Sequence, residues 1–296
     1  MIDLEVVSND RYASTNVADD FEKVLSLMTI KEGLNITNDF GAALKAAISG
    51  VLSLMLSFGI NAETNDRPAG FVNVATFAPE IMLSIRYASA DNFLGRVVEG
   101  YEAPSCWLVM PAAEALKQAH LVLEAQGLGL IVFDCYRPQR AVQDFVSWAL
   151  TKEASQKAAY FPRVPKSELF AKGYIARHSS HSRGATVDVG IVRSASETKA
   201  SIEANHEASQ ASVCQLHASQ DQRAGMLDFG SSYDCFDVIS HTKHPTISAG
   251  AKANRELLVE TMSAVGFSNY QLEWWHFTLD AEPYPTVYFD FPVLAQ

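Results

Sequence analysis

Hydrophobic and polar positions divide the chain into short, unevenly spaced elements. Met82-Leu83-Ser84-Ile85-Arg86-Tyr87 alternates and predicts a strand. From Pro111 to Gln126, Ala112, Ala115, Leu116, Ala119, Leu123 and Ala125 recur at helical spacing, and Gly127 and Gly129 close the helix. Leu130-Ile131-Val132-Phe133-Asp134 reads as a short buried strand. Pro138 opens the next helix, where its missing N–H has no partner to lose. That helix runs to about Leu150, with Val142, Phe145, Val146 and Ala149 inward. Residues 151–177 are polar, hold Pro162 and Pro165, and read as a loop ending in a short helix. Ala185 to Ile191 predicts a strand, 249–265 a helix stopped by Gly266, and Tyr270 to Leu279 a strand. Isolated strands among uneven helices predict an α+β fold rather than a regular βαβ repeat.

Other stretches mark boundaries. Residues 1–43 are mixed and polar, with weak helical periodicity at Phe21, Val24, Leu25 and Met28. Residues 44–62 hold an uncharged run from Ala46 to Ile60, followed by Asn61-Ala62-Glu63. This run is short for a membrane span and suits the apolar core of a secretory signal, cleaved after a small residue such as Ala62. It is not N-terminal, and a translation start nearer Lys45 would make it so. An uncleaved anchor and a buried helix are the alternatives. Residues 63–70 read as a linker, with Pro68 and Gly70, leaving 71–296 as the main domain. Between Ser194 and Gln220, 12 of 27 residues are Ala or Ser, so about 194–220 reads as an inserted surface segment. A second metal site at His206, Cys214 and His217 is the weaker reading of that insert.

Apolar residues make up 48% of the 296, enough for a large core. A formal charge of −11 argues against a nucleic-acid partner. The four cysteines form no CxxC pair and leave the redox compartment open; Cys106 and Cys135, in apolar runs, read as buried thiols.

The candidate chemistry lies in two stretches. Ser179-Ser180-His181-Ser182-Arg183-Gly184-Ala185-Thr186-Val187-Asp188 sets a histidine and an aspartate around a glycine. Glu273-Trp274-Trp275-His276 sets two ionisable groups in an otherwise apolar run, and burying them is costly unless they are paired or bound to metal. A catalytic zinc takes three protein ligands and keeps a position for water. His181, Asp188 and His276 would supply the three, leaving Glu273 as a base. In a regular strand Glu273 and His276 would face opposite ways, so a bulge or twist is expected. Arg137, just after a buried strand, reads by itself as an ordinary salt-bridge residue, although an arginine there can also hold an oxyanion.

These motifs, with Arg86-Tyr87-Ala88-Ser89-Ala90-Asp91-Asn92-Phe93-Leu94-Gly95, Asp134-Cys135-Tyr136-Arg137-Pro138, Tyr284-Pro285 and Tyr288-Phe289-Asp290-Phe291-Pro292, follow a fixed order. Over residues 71–296 the chain resembles the VanX-type zinc peptidases, the D-alanyl-D-alanine dipeptidases. The resemblance implies a small antiparallel sheet carrying one zinc, with helices packed on it, as in hedgehog and D,D-peptidase folds. It implies hydrolysis of D-Ala-D-Ala by zinc-activated water with Glu273 as base, and oxyanion binding by Arg137. It also implies that Tyr87 and Asp234 bind the substrate amine and Ser179 its carboxylate. A zinc D,D-carboxypeptidase acting on longer cell-wall peptides and a non-catalytic hedgehog-like metal module are the alternatives. The expected partner is a small dipeptide, with no stable membrane insertion once a signal is removed. The expected location is periplasmic or secreted, with the cytoplasm as the alternative.

Overall fold

In a computed structural model, residues 67–193, 214 and 225–296 are described. The N-terminal extension, the uncharged run and most of the Ala/Ser-rich insert lie outside them. No helix among the described residues is long and apolar enough to cross a membrane.

The described chain starts with β1 (Phe71–Asn73), a single helical turn α1 (Val74–Phe77) and β2 (Met82–Leu83). A 3-10 turn, Arg86–Ala88, then carries Tyr87. The strand expected over 82–87 therefore stops after two residues. β3 (Trp107–Val109) leads directly into α2 (Met110–Glu124), and β4 (Leu128–Asp134) precedes α3 (Gln139–Ala149). The polar stretch after α3 holds α4 (Lys157–Tyr160) and a 3-10 turn at Lys166–Glu168, near its middle rather than its end. β5 (Thr186–Arg193), α5 (Ala249–Ala264), β6 (Phe267–Asn269) and β7 (His276–Leu279) complete the fold.

β1 and β3 form a separate antiparallel pair. The main sheet has the order β2-β4-β5-β7-β6, antiparallel except for the β2–β4 pair. α2 packs on β4 and α5 on β6, and the two helices touch. β5 lies at the centre, and its residues are buried from Thr186 to Val192. Alternation alone would leave one face wet; here both faces are covered, so Val187, Val189 and Ile191 pack on one side while Asp188 lies on the other. The aromatic core around Phe93, Phe145, Trp148 and Phe236 makes edge-on and tilted contacts at 4.9–5.0 Å. Burying an apolar side chain of this size stabilises by roughly 1.5–3 kcal/mol.

Two expectations are corrected. Cys106 and Cys135 are not free thiols but form a disulfide, and Cys214 pairs with Cys235. The sequence offered no spacing that fixed these pairs, because their partners meet only across the folded domain. Within the stretch read as a linker, the Arg67 guanidinium lies 3.6 Å over the Trp107 ring. Finally, Tyr270 to Leu279 is not one strand. β6 and β7 are joined by a turn over 270–275, so Glu273 sits in the turn.

Gly184 is where the backbone is most constrained. It ends the 3-10 turn Ser180–Arg183 at φ +80°, a conformation that side-chain-bearing residues rarely adopt. A Cβ there would lie 2.3 Å from the Phe71 ring, which packs against Tyr136, Phe289 and Phe291. Gly184→Ala is therefore expected to destabilise the domain by at least about 1–3 kcal/mol, the strain of such a backbone conformation alone. Chemical denaturation of the variant checks this, and an unchanged midpoint would contradict it.

Candidate active site

Sheet register builds the centre of the site. Asp188 of β5 pairs with Asp134 of β4 on one side and with His276 of β7 on the other. Directly opposed residues share a face of a sheet, so three strands present Asp134, Asp188 and His276 in one row. The register of β4 against β5 shifts between Val132 and Asp134, a bulge that brings Asp134 into the row. His181 enters from the 3-10 turn before β5, fully buried. Ser179 caps that turn by accepting from the His181 N–H at 3.3 Å.

The ring of His181 has a defined tautomer. Its Nδ1 lies 2.6 Å from the Cys135 carbonyl, which can only accept, so Nδ1 carries the proton and Nε2 offers a lone pair. That Nε2 is 3.2 Å from Asp188 Oδ1 and 3.3 Å from His276 Nδ1, and His276 Nδ1 is 3.1 Å from the same Oδ1. Three donor atoms thus converge at nearly equal spacing. A tetrahedral ion with ligands at about 2.0–2.1 Å has ligand–ligand edges of about 3.3 Å. Asp188 Oδ1 is buried and accepts no hydrogen bond, although both imidazoles crowd it. An orphaned carboxylate oxygen facing two imidazole nitrogens fits a divalent cation. His181, Asp188 and His276 are the group among the described residues able to hold one.

Electrostatics agree with this arrangement. Burial would raise the Asp188 carboxyl, but His181 and His276 hold it well below the usual carboxylate range. Burial lowers the His276 pKa against the pull of Asp188, which favours a neutral, ligating imidazole. Burial pushes Asp134 up, while Arg137 and His181 pull it back.

Glu273 reaches the same place by way of the turn. Trp274 and Trp275 are fully buried; Trp274 stacks on Phe229 at 4.1 Å and donates from Nε1 to Ser231 Oγ at 3.0 Å. The Asn269 side chain ties the turn by donating to the carbonyls of Glu273 and His276, each at 3.1 Å. With both tryptophans anchored, Glu273 and His276 are left on the open side, and Glu273 Oε2 lies 3.7 Å from His276 Nδ1. The turn does what a bulge was expected to do. Burial pushes the Glu273 carboxyl well above its usual range, with Asp188 and Asp234 adding to the effect.

A cavity of about 410 Å³ joins these groups to Tyr87, Arg137, Ser179 and Asp234. Arg137 donates from Nε to Asp134 Oδ2 at 2.9 Å and lies 3.6 Å from Asp188 Oδ2 and 3.5 Å from Ser179 Oγ. Its guanidinium is also 5.0 Å from the Tyr87 ring centre. At the far end, Tyr87 donates to Asp234 Oδ2 at 2.9 Å. Burial, then Asp188, pushes the Asp234 carboxyl up to about 8. Asp234 is held at φ +57°, and the next residue, Cys235, is tied by its disulfide. Left-handed backbone at a non-glycine residue clusters at functional sites.

Seven of the eight sequence-selected residues line this cavity, and the eighth, His181, lies buried behind it with Nε2 facing Asp188 and His276. Three contributors were not selected from the sequence. Asp134 holds Arg137 and lies 3.5 Å from His181 Nδ1; its place at the end of an apolar strand, three residues before an arginine, was the available signal. Tyr233 touches Asp188, and Ser180 Oγ lies 3.3 Å from His276 Nε2. Nothing in the local sequence marks either one.

Comparison with known proteins shows the family. The family described as D-ala-D-ala dipeptidase matches residues 67–207 and 192–294, and the two matched parts meet in the Ala/Ser-rich stretch. The chain is 37% identical over 223 residues to a protein from Enterococcus faecium named D-alanyl-D-alanine dipeptidase, covering 74% of this chain and 97% of the relative. A protein of the same name from Streptomyces coelicolor is 36% identical over 222 residues, covering 73% and 96%. Another from Enterococcus faecalis is 34% identical over 225 residues, covering 76% and 98%. Matched over most of its length by the family and its relatives, the chain belongs to the D-Ala-D-Ala dipeptidase family of peptidases.

Proposed function

We propose that this chain hydrolyses D-alanyl-D-alanine to two D-alanines, with one zinc held by His181, Asp188 and His276. The observation that carries the reading is the convergence of His181 Nε2, Asp188 Oδ1 and His276 Nδ1 at 3.1–3.3 Å, beside Glu273 and in one cavity with Asp234. Two imidazoles and one carboxylate with a position left open are a donor set suited to catalytic zinc. When bound, such an ion polarises the scissile carbonyl and acidifies water. The same donor set on a mostly antiparallel sheet supports the hedgehog and D,D-peptidase type of fold.

The chain's own residues divide the remaining work. Glu273 takes a proton from the attacking water and returns it to the leaving nitrogen as the C–N bond breaks and the C–O bond forms. Arg137, oriented by Asp134, donates to the oxygen on which negative charge develops. Asp234 and Tyr87 receive the free ammonium, and Ser179 donates to the terminal carboxylate. A carboxypeptidase acting on longer peptides would need the amine end open. Here Tyr87 and Asp234 are buried at that end, which favours the dipeptide. A metal module without catalysis would have no use for Glu273 and Arg137. The two disulfides support an oxidising location, periplasmic or secreted.

His181→Ala is expected to lose stoichiometric zinc in metal analysis of the purified protein; full retention would remove the ligand assignment. N-acetyl-D-Ala-D-Ala brings no ammonium to Asp234 and leaves a buried group without its partner, an effect of roughly 2–5 kcal/mol. D-alanine release from it should accordingly be very slow, and equal rates on the free and acetylated dipeptides would favour the carboxypeptidase reading. Glu273→Gln keeps shape and removes the proton acceptor. Turnover should fall by at least about 100-fold, the lower bound for general acid–base catalysis, with zinc content and melting temperature nearly unchanged. A Gln variant that keeps its zinc and turns over normally would remove Glu273 as the base.

A further inference from the structure

Tyr233 is buried deep behind the cavity, with its ring stacked on Phe133 at 4.7 Å and edge-on to Trp275 at 5.4 Å. Packing alone would be served equally well by phenylalanine. A buried phenol hydroxyl needs a hydrogen-bond partner, and this one has two: its oxygen lies 3.0 Å from Asp188 Oδ2 and 3.2 Å from the Tyr87 hydroxyl.

A phenol carries one proton to donate. The ionised carboxylate is the stronger acceptor, so the Tyr233 proton goes to Asp188. Tyr87 gives its own proton to Asp234. The two oxygens of Asp188 are thereby kept apart in role. Oδ2 faces Tyr233 and, at 3.6 Å, Arg137. Oδ1 faces His181 and His276. Without the hydroxyl, the Asp188 carboxylate is free to turn both oxygens toward the imidazoles.

We propose that Tyr233 is a positioning residue: its hydroxyl pins Oδ2 of Asp188 so that Oδ1 alone serves as the metal ligand. Through Tyr87 it also connects that ligand to the amine-binding end. When a substrate ammonium occupies Asp234 and the Tyr87 oxygen, the Tyr87 proton can turn to the Tyr233 oxygen. A continuous row of hydrogen bonds then runs Tyr87 to Tyr233 to Asp188. The proposal rests on the zinc reading above and adds a group that touches neither metal nor substrate.

The test compares wild type, Tyr233→Phe, Tyr87→Phe and Phe133→Leu. Each is stripped of metal and titrated with Zn²⁺ against a chromophoric chelator, then with Co²⁺ for its visible spectrum. Groups that orient metal ligands are typically worth about 10–100-fold in metal affinity, so Tyr233→Phe should weaken zinc binding by at least about tenfold. Its cobalt spectrum should weaken as Asp188 turns both oxygens to the ion and raises the coordination number. Tyr87→Phe should raise KM for the dipeptide and keep wild-type zinc affinity. Phe133→Leu loosens the stack but leaves the hydroxyl, so it should lower the melting temperature and keep zinc affinity. Wild-type affinity and spectrum in Tyr233→Phe would overturn the proposal, as would an equal loss of affinity in Phe133→Leu. If the wild-type chain itself takes up no zinc, the metal reading fails first and the proposal falls with it.

Discussion

Asp188 is an ionised carboxylate at the centre of a five-stranded sheet with almost no access to water. A buried charge is tolerable only when paired or metal-bound, and much of the surrounding structure answers to that. Arg137, Tyr233, His181 and His276 lie within 3.0–3.6 Å of its two oxygens. These neighbours have neighbours of their own. Asp134 holds Arg137, the Cys135 carbonyl holds His181, and Ser180 lies beside His276. These outer contacts orient the inner groups, and the Cys135 carbonyl fixes the His181 tautomer before any ligand arrives.

Backbone geometry delivers these groups through short irregular pieces rather than through the strands alone. The 3-10 turn ending in Gly184 turns His181 back onto the strand that bears Asp188. The turn at 270–275 drives two tryptophans into the core and leaves Glu273 and His276 at the cavity. The left-handed backbone at Asp234, followed by a disulfide, places Asp234 at the far end of the cavity. Regular elements supply the register, and the irregular ones aim the side chains.

That division explains what the sequence made legible. α2, β4, α3, β5 and α5 follow clear apolar periods, and each lies close to its predicted position. Tyr270 to Leu279 misled, because an apolar run with aromatic residues reads as a strand whether its side chains alternate or anchor a turn. The cysteines misled because pairing across 29 and 21 residues is a property of the fold, not of spacing. The convergence of His181, Asp188 and His276 could be anticipated because a glycine between His181 and Asp188, and charges within Glu273–His276, conflict with plain core packing. Tyr233 was not, because a tyrosine beside an aspartate conflicts with nothing; its role appears only when β5 is placed against it.

Charge balance connects the two ends of the cavity. Asp134, Asp188, Asp234 and Glu273 gather around Arg137, and burial raises three of these carboxyls. A divalent ion held by His181, Asp188 and His276, as proposed above, would supply two positive charges at the point where Asp188 Oδ1 has no hydrogen-bond donor. Asp234 stands apart: burial, then Asp188, pushes its carboxyl up to about 8, so a cation beside it favours its ionised form. A substrate ammonium is such a cation, and its arrival favours the ionised form. On the proposed reading, preference for a free amine would follow from the same burial that raises these carboxyls. The ligand that restores charge at Asp234 is the one whose peptide bond the opposite end can reach.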